Sequence, residues 1–469
     1  MIGDKLKEAA VFHPEEIIAA TGARLVSGVA GENVSGVSID SRTIQPGELF
    51  VAIRGRRLDG HDFVEAAFER GAAGAIVDRP STSSGRTDPG VPIWGVKNTL
   101  RAFGELARFH RSRFDLKVVA ITGSNGKTTT KTILNHLLSG SQEVLATQGT
   151  QNNLIGVPLT LLRLGPWHQA AVVELGTNQW GEIRRLTQIA RPSVGVITNI
   201  GLAHLETFGD LHGVLRAKAE LWEAMESKGP LVLNADDPLL WEEGKQLPHR
   251  VVWFGCNPKA QIQASQVRLE SWGSHCLVND RWELQLPLPG QHNLMNALAA
   301  LACVQALGFE IPLALQRLES IPSLSGRLSQ IQRDGCLIID DTYNANPASL
   351  KVALEVLAGM ESPGRRIAVI GDMLELGDQG PRLHAQAGGW VVQSKVDFLI
   401  TVGPLSKHLL VAARQEGLVE EAGRAFDTTQ EAGEFLEGLI HVGDTILLKG
   451  SRGMQMERVY VCSTTSSTH

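Results

Sequence analysis

Thr122-Gly123-Ser124-Asn125-Gly126-Lys127-Thr128-Thr129 follows the β-branched run Lys117–Ile121 and opens into a helix-like segment, Lys127–Leu138. A strand, a glycine turn and a helix start in that order leave backbone N–H groups pointing outward, the arrangement that holds a polyphosphate. Nucleoside triphosphate chemistry, with ATP or GTP, is therefore the first reading. Gly123, Ser124, Asn125, Gly126 and Thr129 form the cradle, Lys127 meets the β and γ phosphates, and Thr128 offers a hydroxyl to Mg2+. Only two residues separate Gly123 from Gly126, where the common pattern has four, which points to a subclass of such loops.

Transfer of a phosphoryl group to an anionic acceptor needs metal ions and cationic side chains to offset the like charges. Glu174 ends the apolar stretch Ala171–Glu174, a place that aims a carboxylate out of a sheet edge toward the phosphate loop, and it is a candidate Mg2+ ligand. His204, in Thr198–Glu206, is a lone histidine whose one signal is its place after the strand Val194–Asn199, and Lys218, in Arg216–Leu221, carries no pattern of its own. Most histidines and helical lysines are packed or solvated groups without a chemical role.

These groups need a scaffold, and the chain is long enough for three domains of ordinary size: 469 residues, 43% hydrophobic. The expected fold class is α/β throughout. Residues 1–98 alternate short strands and helices as a small N-terminal module, with Ser81–Gly90 as an exposed loop. Residues 99–320 read as a central P-loop-type parallel sheet with helices on both faces. Within it, Gln261–Leu288 alternates apolar and polar residues, including Trp272, as antiparallel strands do, and a helix runs from Asn293 to Leu307. Residues 321–469 repeat the rhythm as a Rossmann-like C-terminal domain, with Cys462–His469 as a disordered tail.

A net charge of −6 and a pI near 6.2 argue against nucleic acid or an anionic membrane as main partner. The start Met1–Lys5 has no apolar run, so neither a signal peptide nor membrane insertion is expected, and the reading is a cytoplasmic protein. Cys256, Cys276, Cys303, Cys336 and Cys462 lie far apart, as reduced thiols rather than disulfides or a zinc site.

As an ordered series these stretches resemble the Mur ligase family, which joins an amino acid or peptide to a UDP-linked cell-wall precursor. Thr122–Thr129 is similar to its phosphate loop, Val173–Ile183 to its acidic strand end, Thr198–Glu206 to its histidine motif, Ala217–Leu221 to its lysine motif and Gly290–Leu298 to its adenine-binding helix start. Gly326-Arg327-Leu328 and Asp340–Pro347 extend the resemblance toward the C-terminus. Asp40-Ser41-Arg42, Asp59–Phe63, Gly371–Gly377 and Leu448–Arg452 are most similar to the branch that adds D-alanyl-D-alanine, and the Asp-Asn-Pro-Arg motif of the diaminopimelate-adding branch is absent.

The resemblance implies an ATP-dependent ligase with ATP and Mg2+ as cofactors. Its implied partners are UDP-N-acetylmuramoyl-tripeptide and D-alanyl-D-alanine, joined through an acyl phosphate by a monomeric enzyme. Lys127 and Thr128 would hold phosphates and Mg2+. Glu174, His204 and a carbamylated Lys218 would ligate metal. Asn293 would meet adenine, Arg327 a phosphate and Asp341 the ribose, with the third domain closing over ATP. Ser41 and Arg42 would hold the uridine diphosphate end, Asn152 and Asn153 would line the path of the muramoyl peptide, and Tyr343, Asn344 and Asn346 would receive the dipeptide. Thr150 departs from the family's usual asparagine, and the chain departs from its relatives after about Val459. Other readings left open are another ligase of the superfamily, such as a folylpolyglutamate synthase, a nucleotide-gated binding module, and a generic P-loop NTPase.

Overall fold

The computed structural model describes residues 10–461 apart from 30, 32, 56, 80–89, 227–228, 323 and 325, so most of the Ser81–Gly90 loop, the Met1–Lys5 start and the Cys462–His469 tail lie outside the described residues. Strands fall into three sheets. The first contains β1 (Arg24–Ser27), β2 (Val37–Ser38), β3 (Leu49–Val51), β4 (Gly74–Val77) and β5 (Ile93–Gly95) in the order β1-β5-β4-β3-β2.

The second sheet has nine strands: β6 (Lys117–Thr122), β7 (Val144–Ala146), β8 (Ala170–Glu174), β9 (Val194–Ile197), β10 (Leu231–Asn234), β11 (Val251–Gly255), β12 (Ile262–Leu269), β13 (Ser274–Val278) and β14 (Trp282–Leu286). The order is β14-β13-β12-β11-β10-β9-β6-β8-β7, parallel from β7 to β12 and antiparallel from β12 to β14. The expected parallel sheet thus carries an antiparallel edge. Trp272 is not on a strand; it sits half-exposed in the turn between β12 and β13.

Strands covered on both faces must be apolar along their whole length, and β6 shows how. Val118 and Ala120 enter one hydrophobic cluster while Val119 and Ile121 enter the cluster on the opposite face. The first cluster continues into the N-terminal module through Phe12, Leu49, Val51 and Trp94, and the helix Thr99–Ser112 lies in that seam with Phe103 and Leu106 fully buried. Asn98 starts this helix by accepting a hydrogen bond from Arg101 N at 2.7 Å. The second cluster is closed by the helix Gln291–Ala306, two residues earlier than the Asn293 expected for its start.

The third sheet joins β15 (Ser329–Arg333), β16 (Cys336–Asp341), β17 (Arg366–Gly371), β18 (Phe398–Val402), β19 (Gly423–Phe426) and β20 (Thr445–Lys449) in the order β15-β16-β20-β17-β18-β19, parallel except for β15. Its core extends across to the central part of the chain: Leu205, Phe208, Val214 and Ala217 share one cluster with Leu350, Met373 and Leu376. Cys276, Cys303 and Cys336 are buried free thiols, and burial pushes Cys276 up to about 11. No helix among the described residues is long and apolar enough to cross a membrane.

Candidate active site

The loop Gly123–Gly126 turns tightly between β6 and the helix Lys127–Ser139, and its two glycines are required by contact as well as by conformation. At Gly123 (φ 145°) a Cβ would lie 1.9 Å from Thr198 Oγ1, and at Gly126 (φ 81°) it would lie 2.1 Å from Asn296 Oδ1. The end of β9 grips the loop from the side: Ser124 N donates to Asn199 O and Asn125 N to Asn199 Oδ1, both at 3.0 Å, and Gly201 N donates to Ser124 Oγ at 2.8 Å. No side chain caps the helix that follows. Its first-turn N–H groups are therefore free for an anion, and the helix dipole favours one there. Lys127 lies folded back on the loop, with Nζ donating to Gly123 O at 2.8 Å and Ser124 O at 3.1 Å, and burial lowers its pKa.

Glu174 ends β8 and is almost fully buried. Oε1 accepts from Asn152 Nδ2 at 2.8 Å, and the backbone N–H of Glu174 donates to Thr147 Oγ1 at 3.0 Å. Oε2 is buried with no hydrogen-bond partner; the nearest cation is Lys131 Nζ at 3.6 Å. A buried carboxylate oxygen left unbonded is costly, and a divalent cation is a natural occupant beside it.

Lys218 lies in the helix Leu211–Ala224, where burial first, and the neighbouring Lys127 charge second, hold its amine well below the usual lysine range. Glu220 fixes this helix to the start of the helix Glu182–Ala190: its carboxylate accepts from Gly181 N at 2.8 Å and Arg184 N at 3.0 Å. His204, at φ 53°, uses Nδ1 to meet Glu375 Oε2 at 2.7 Å. Only Nε2 is left to offer a metal. Asp237 steadies the loop before His204 by accepting from Ile200 N at 2.7 Å.

The third sheet supplies the facing wall. The Arg327 guanidinium lies 4.0 Å from the centre of the Tyr343 ring. Asp341 pairs with fully buried Lys449, which also donates to Asn344 O at 3.0 Å; burial nonetheless raises the Asp341 pKa. Asn346 Nδ2 donates to Asn125 Oδ1 at 2.6 Å, so this wall touches the Gly123–Gly126 loop directly. Asn293 is buried with Nδ2 on Pro289 O at 2.8 Å. Its neighbour His292 is kept neutral, lowered to about 4 by burial and by the Lys449 and Arg327 charges.

These walls enclose a cleft of about 680 Å³ lined by Ser124 to Thr129, Asn152, Asn153, Glu174, His204, Lys218, Asn293, Arg327, Asp341, Tyr343, Asn344 and Asn346. Gly123, at the start of the loop, does not line the cleft. Ser41 and Arg42 are not part of the cleft: they sit on the N-terminal module, where Arg42 forms a bidentate pair with Asp40 at 2.9 and 2.7 Å and that hydrogen bonding holds Asp40 at about 2. Asn153 Oδ1 accepts from Ile155 N and Gly156 N, so part of its amide shapes the turn. Sequence reasoning missed Lys131, Asn199, His292, Asn296, Glu375 and Lys449 as site residues. Lys131 had a usable signal, one helical turn after Lys127, and Lys449 ends an apolar strand as Glu174 does.

Three family descriptions match in order: "Mur ligase family, catalytic domain" over residues 33–111, "Mur ligase middle domain" over 121–304 and "Mur ligase, glutamate ligase domain" over 326–452. The UDP-N-acetylmuramoyl-tripeptide--D-alanyl-D-alanine ligase of Escherichia coli is 38% identical over 90% of this chain and 92% of its own length. A crystal structure of MurF from Acinetobacter baumannii superposes with a TM-score of 0.87 at 33% identity, covering 97% of this chain and 99% of that one. The MurF ligase of Thermotoga maritima, solved in complex with ADP, gives a TM-score of 0.80 at 28% identity over 90% and 96% of the two chains. With near-complete coverage, the same order of motifs and a cleft built from them, the chain belongs to the Mur ligase family.

Proposed function

We propose that this chain is an ATP-dependent ligase that joins D-alanyl-D-alanine to UDP-N-acetylmuramoyl-tripeptide, giving the pentapeptide precursor of peptidoglycan. The observation that carries the reading is one cleft that brings the phosphate loop, Glu174 and Lys218 together with Arg327, Asp341 and Asn346 of the C-terminal region, in a chain that matches ligases of this named specificity over nine-tenths of its length. A folylpolyglutamate-type activity loses ground to it, because the match to the tripeptide ligases includes the N-terminal module.

ATP lies with its phosphates on the uncapped helix start and Lys127, its adenine toward Asn293 and His292, and its ribose toward Asp341. Glu174, Thr128, His204 and a carboxylated Lys218 would hold Mg2+, which would offset the phosphate and acceptor charges. Burial lowers the Lys218 pKa and so favours the uncharged amine, the form that would add to CO2: its nitrogen would bond the carbon and release a proton, giving a carbamate in place of a cation.

The tripeptide's terminal carboxylate oxygen attacks the γ-phosphorus and ADP leaves. The dipeptide's amine then attacks the acyl carbon, inorganic phosphate departs and the nitrogen loses a proton. Third-sheet residues over the loop exclude water that would hydrolyse the acyl phosphate. Tyr343, Asn344 and Asn346 receive the dipeptide, while Ser41 and Arg42 hold the uridine diphosphate end away from the chemistry.

The test is phosphate release from ATP with each substrate alone and with both, together with mass detection of the pentapeptide. Release that needs both substrates and yields that product supports the ligase; turnover indifferent to either refutes it.

A further inference from the structure

Lys131 has no part in the chemistry above, yet it is almost fully buried, one turn beyond Lys127 on the helix Lys127–Ser139. It does not line the cleft. Burying an ammonium costs several kcal/mol unless partners compensate, so its surroundings should explain it. Nζ donates to Gly149 O at 2.6 Å and lies 3.6 Å from Glu174 Oε2. Oε1 of the same carboxylate accepts from Asn152 Nδ2 at 2.8 Å, and Asn152 O accepts from Gly176 N at 2.8 Å.

These contacts close a ring that runs from the phosphate helix to the turn at Gly149, along it to Asn152, across to Glu174 and back. The turn has little internal structure, with Gln151 N on Gln148 O and Asn152 N on Thr150 O, and Gly149 takes a left-handed φ of 50°. Its position therefore depends on what grips it from outside. Lys131 and Glu174 supply that grip.

We propose that Lys131 is a positioning residue for the acceptor half of the reaction: its ammonium fastens the Gln148–Asn153 turn to the Glu174 carboxylate, so one buried charge sets both the path of the acceptor peptide and the oxygen that faces the metal. The proposal rests on the reading of Glu174 as a metal ligand. A lysine that merely packs would act through its methylenes, and methionine would replace it. A positioning ammonium has two effects of opposite sign on its removal. The turn loosens, which weakens the acceptor, while a positive charge that opposes a divalent ion at Glu174 disappears.

The experiment compares full-length Lys131→Met, Lys131→Arg and Glu174→Gln with the parent enzyme. KM and kcat are measured for UDP-N-acetylmuramoyl-tripeptide and for ATP, and Mn2+ binding in the presence of ADP is followed by electron paramagnetic resonance. For Lys131→Met the tripeptide KM should rise about tenfold or more, the scale seen when a supporting partner of a metal ligand is lost. The ATP KM should stay within about twofold, since the substitution leaves the phosphate cradle in place, and Mn2+ should bind no more weakly, since a positive charge that repels it beside Glu174 is removed. Lys131→Arg, which keeps charge and donor, should recover most of the loss. An unchanged tripeptide KM in Lys131→Met overturns the proposal, as does a uniform loss of acceptor, ATP and Mn2+ binding or an arginine variant as impaired as methionine. If Glu174→Gln binds Mn2+ as the parent does, the metal-ligand reading fails, and that result is visible separately from the Lys131 variants.

Discussion

Asn346 Nδ2 donates to Asn125 Oδ1 at 2.6 Å, and its own Oδ1 accepts from Ser349 N at 2.9 Å. One amide thus caps the helix Pro347–Gly359 and ties that helix to the Gly123–Gly126 loop. Serine at 346 keeps the cap but is too short for the bridge. Asn346→Ser should leave stability within about 1 kcal/mol of the parent and raise the ATP KM about fivefold, the worth of one hydrogen bond. Asn346→Ala should lose both the cap and the bridge. Steady-state kinetics beside thermal melts separates the two roles.

Gly126→Ala meets two obstacles, a left-handed φ and the Asn296 Oδ1 atom 2.1 Å from the new Cβ. Strain of this kind is worth about 1–3 kcal/mol, so ADP affinity measured by calorimetry should fall about tenfold or more. Adding Asn296→Ala removes the collision but not the dihedral strain, and should restore only part of the loss.

Lys218→Ala should reduce turnover by more than about a hundredfold, the scale for loss of a group that stabilises transition-state charge. Stripping CO2 from the buffer should slow the parent enzyme and added bicarbonate should restore it. An enzyme indifferent to CO2 would show that the Lys218 amine acts without modification.

His110 predicts an acid-sensitive seam. Its Nε2 donates to Leu164 O at 2.9 Å, its Nδ1 is buried without a partner, and burial lowers its pKa from an ordinary 6.5 to about 4. A proton on Nδ1 would have no acceptor. Because the folded pKa lies below the unfolded one, the unfolded chain gains protons first. Stability from this group is complete above pH 6.5 and falls as pH drops toward 4, by on the order of 3 kcal/mol. Urea midpoints at pH 7.5 and 5 should differ more for the parent than for His110→Gln.

The Gly123–Gly126 turn and the carboxylate at the end of β8 were legible because local order alone defines them: strand, glycines, helix, and a carboxylate at the C-terminal end of a strand. The α/β alternation followed from apolar runs of strand length. Lys131, Asn199 and Asn296 were not legible, because their roles depend on partners at Glu174, Asn125 and Gly126 that only the assembled sheet brings near. Trp272 misled in the opposite direction. It sits among alternating residues, but the chain turns there and leaves it half-exposed. For Ser41 and Arg42 the sequence motif marks a place on the N-terminal module, and the cleft itself does not include them.

Leu205, Phe208, Val214 and Ala217 come from the same stretch as Lys218, yet they are buried among residues of the third sheet. The dryness around that amine is therefore borrowed in part from another portion of the chain. Cutting the protein near residue 322 would wet this apolar seam, and the freed central fragment would hold Lys218 closer to an ordinary protonated lysine. Tightness of the third domain and the ionisation of one lysine are thus coupled through that shared apolar seam.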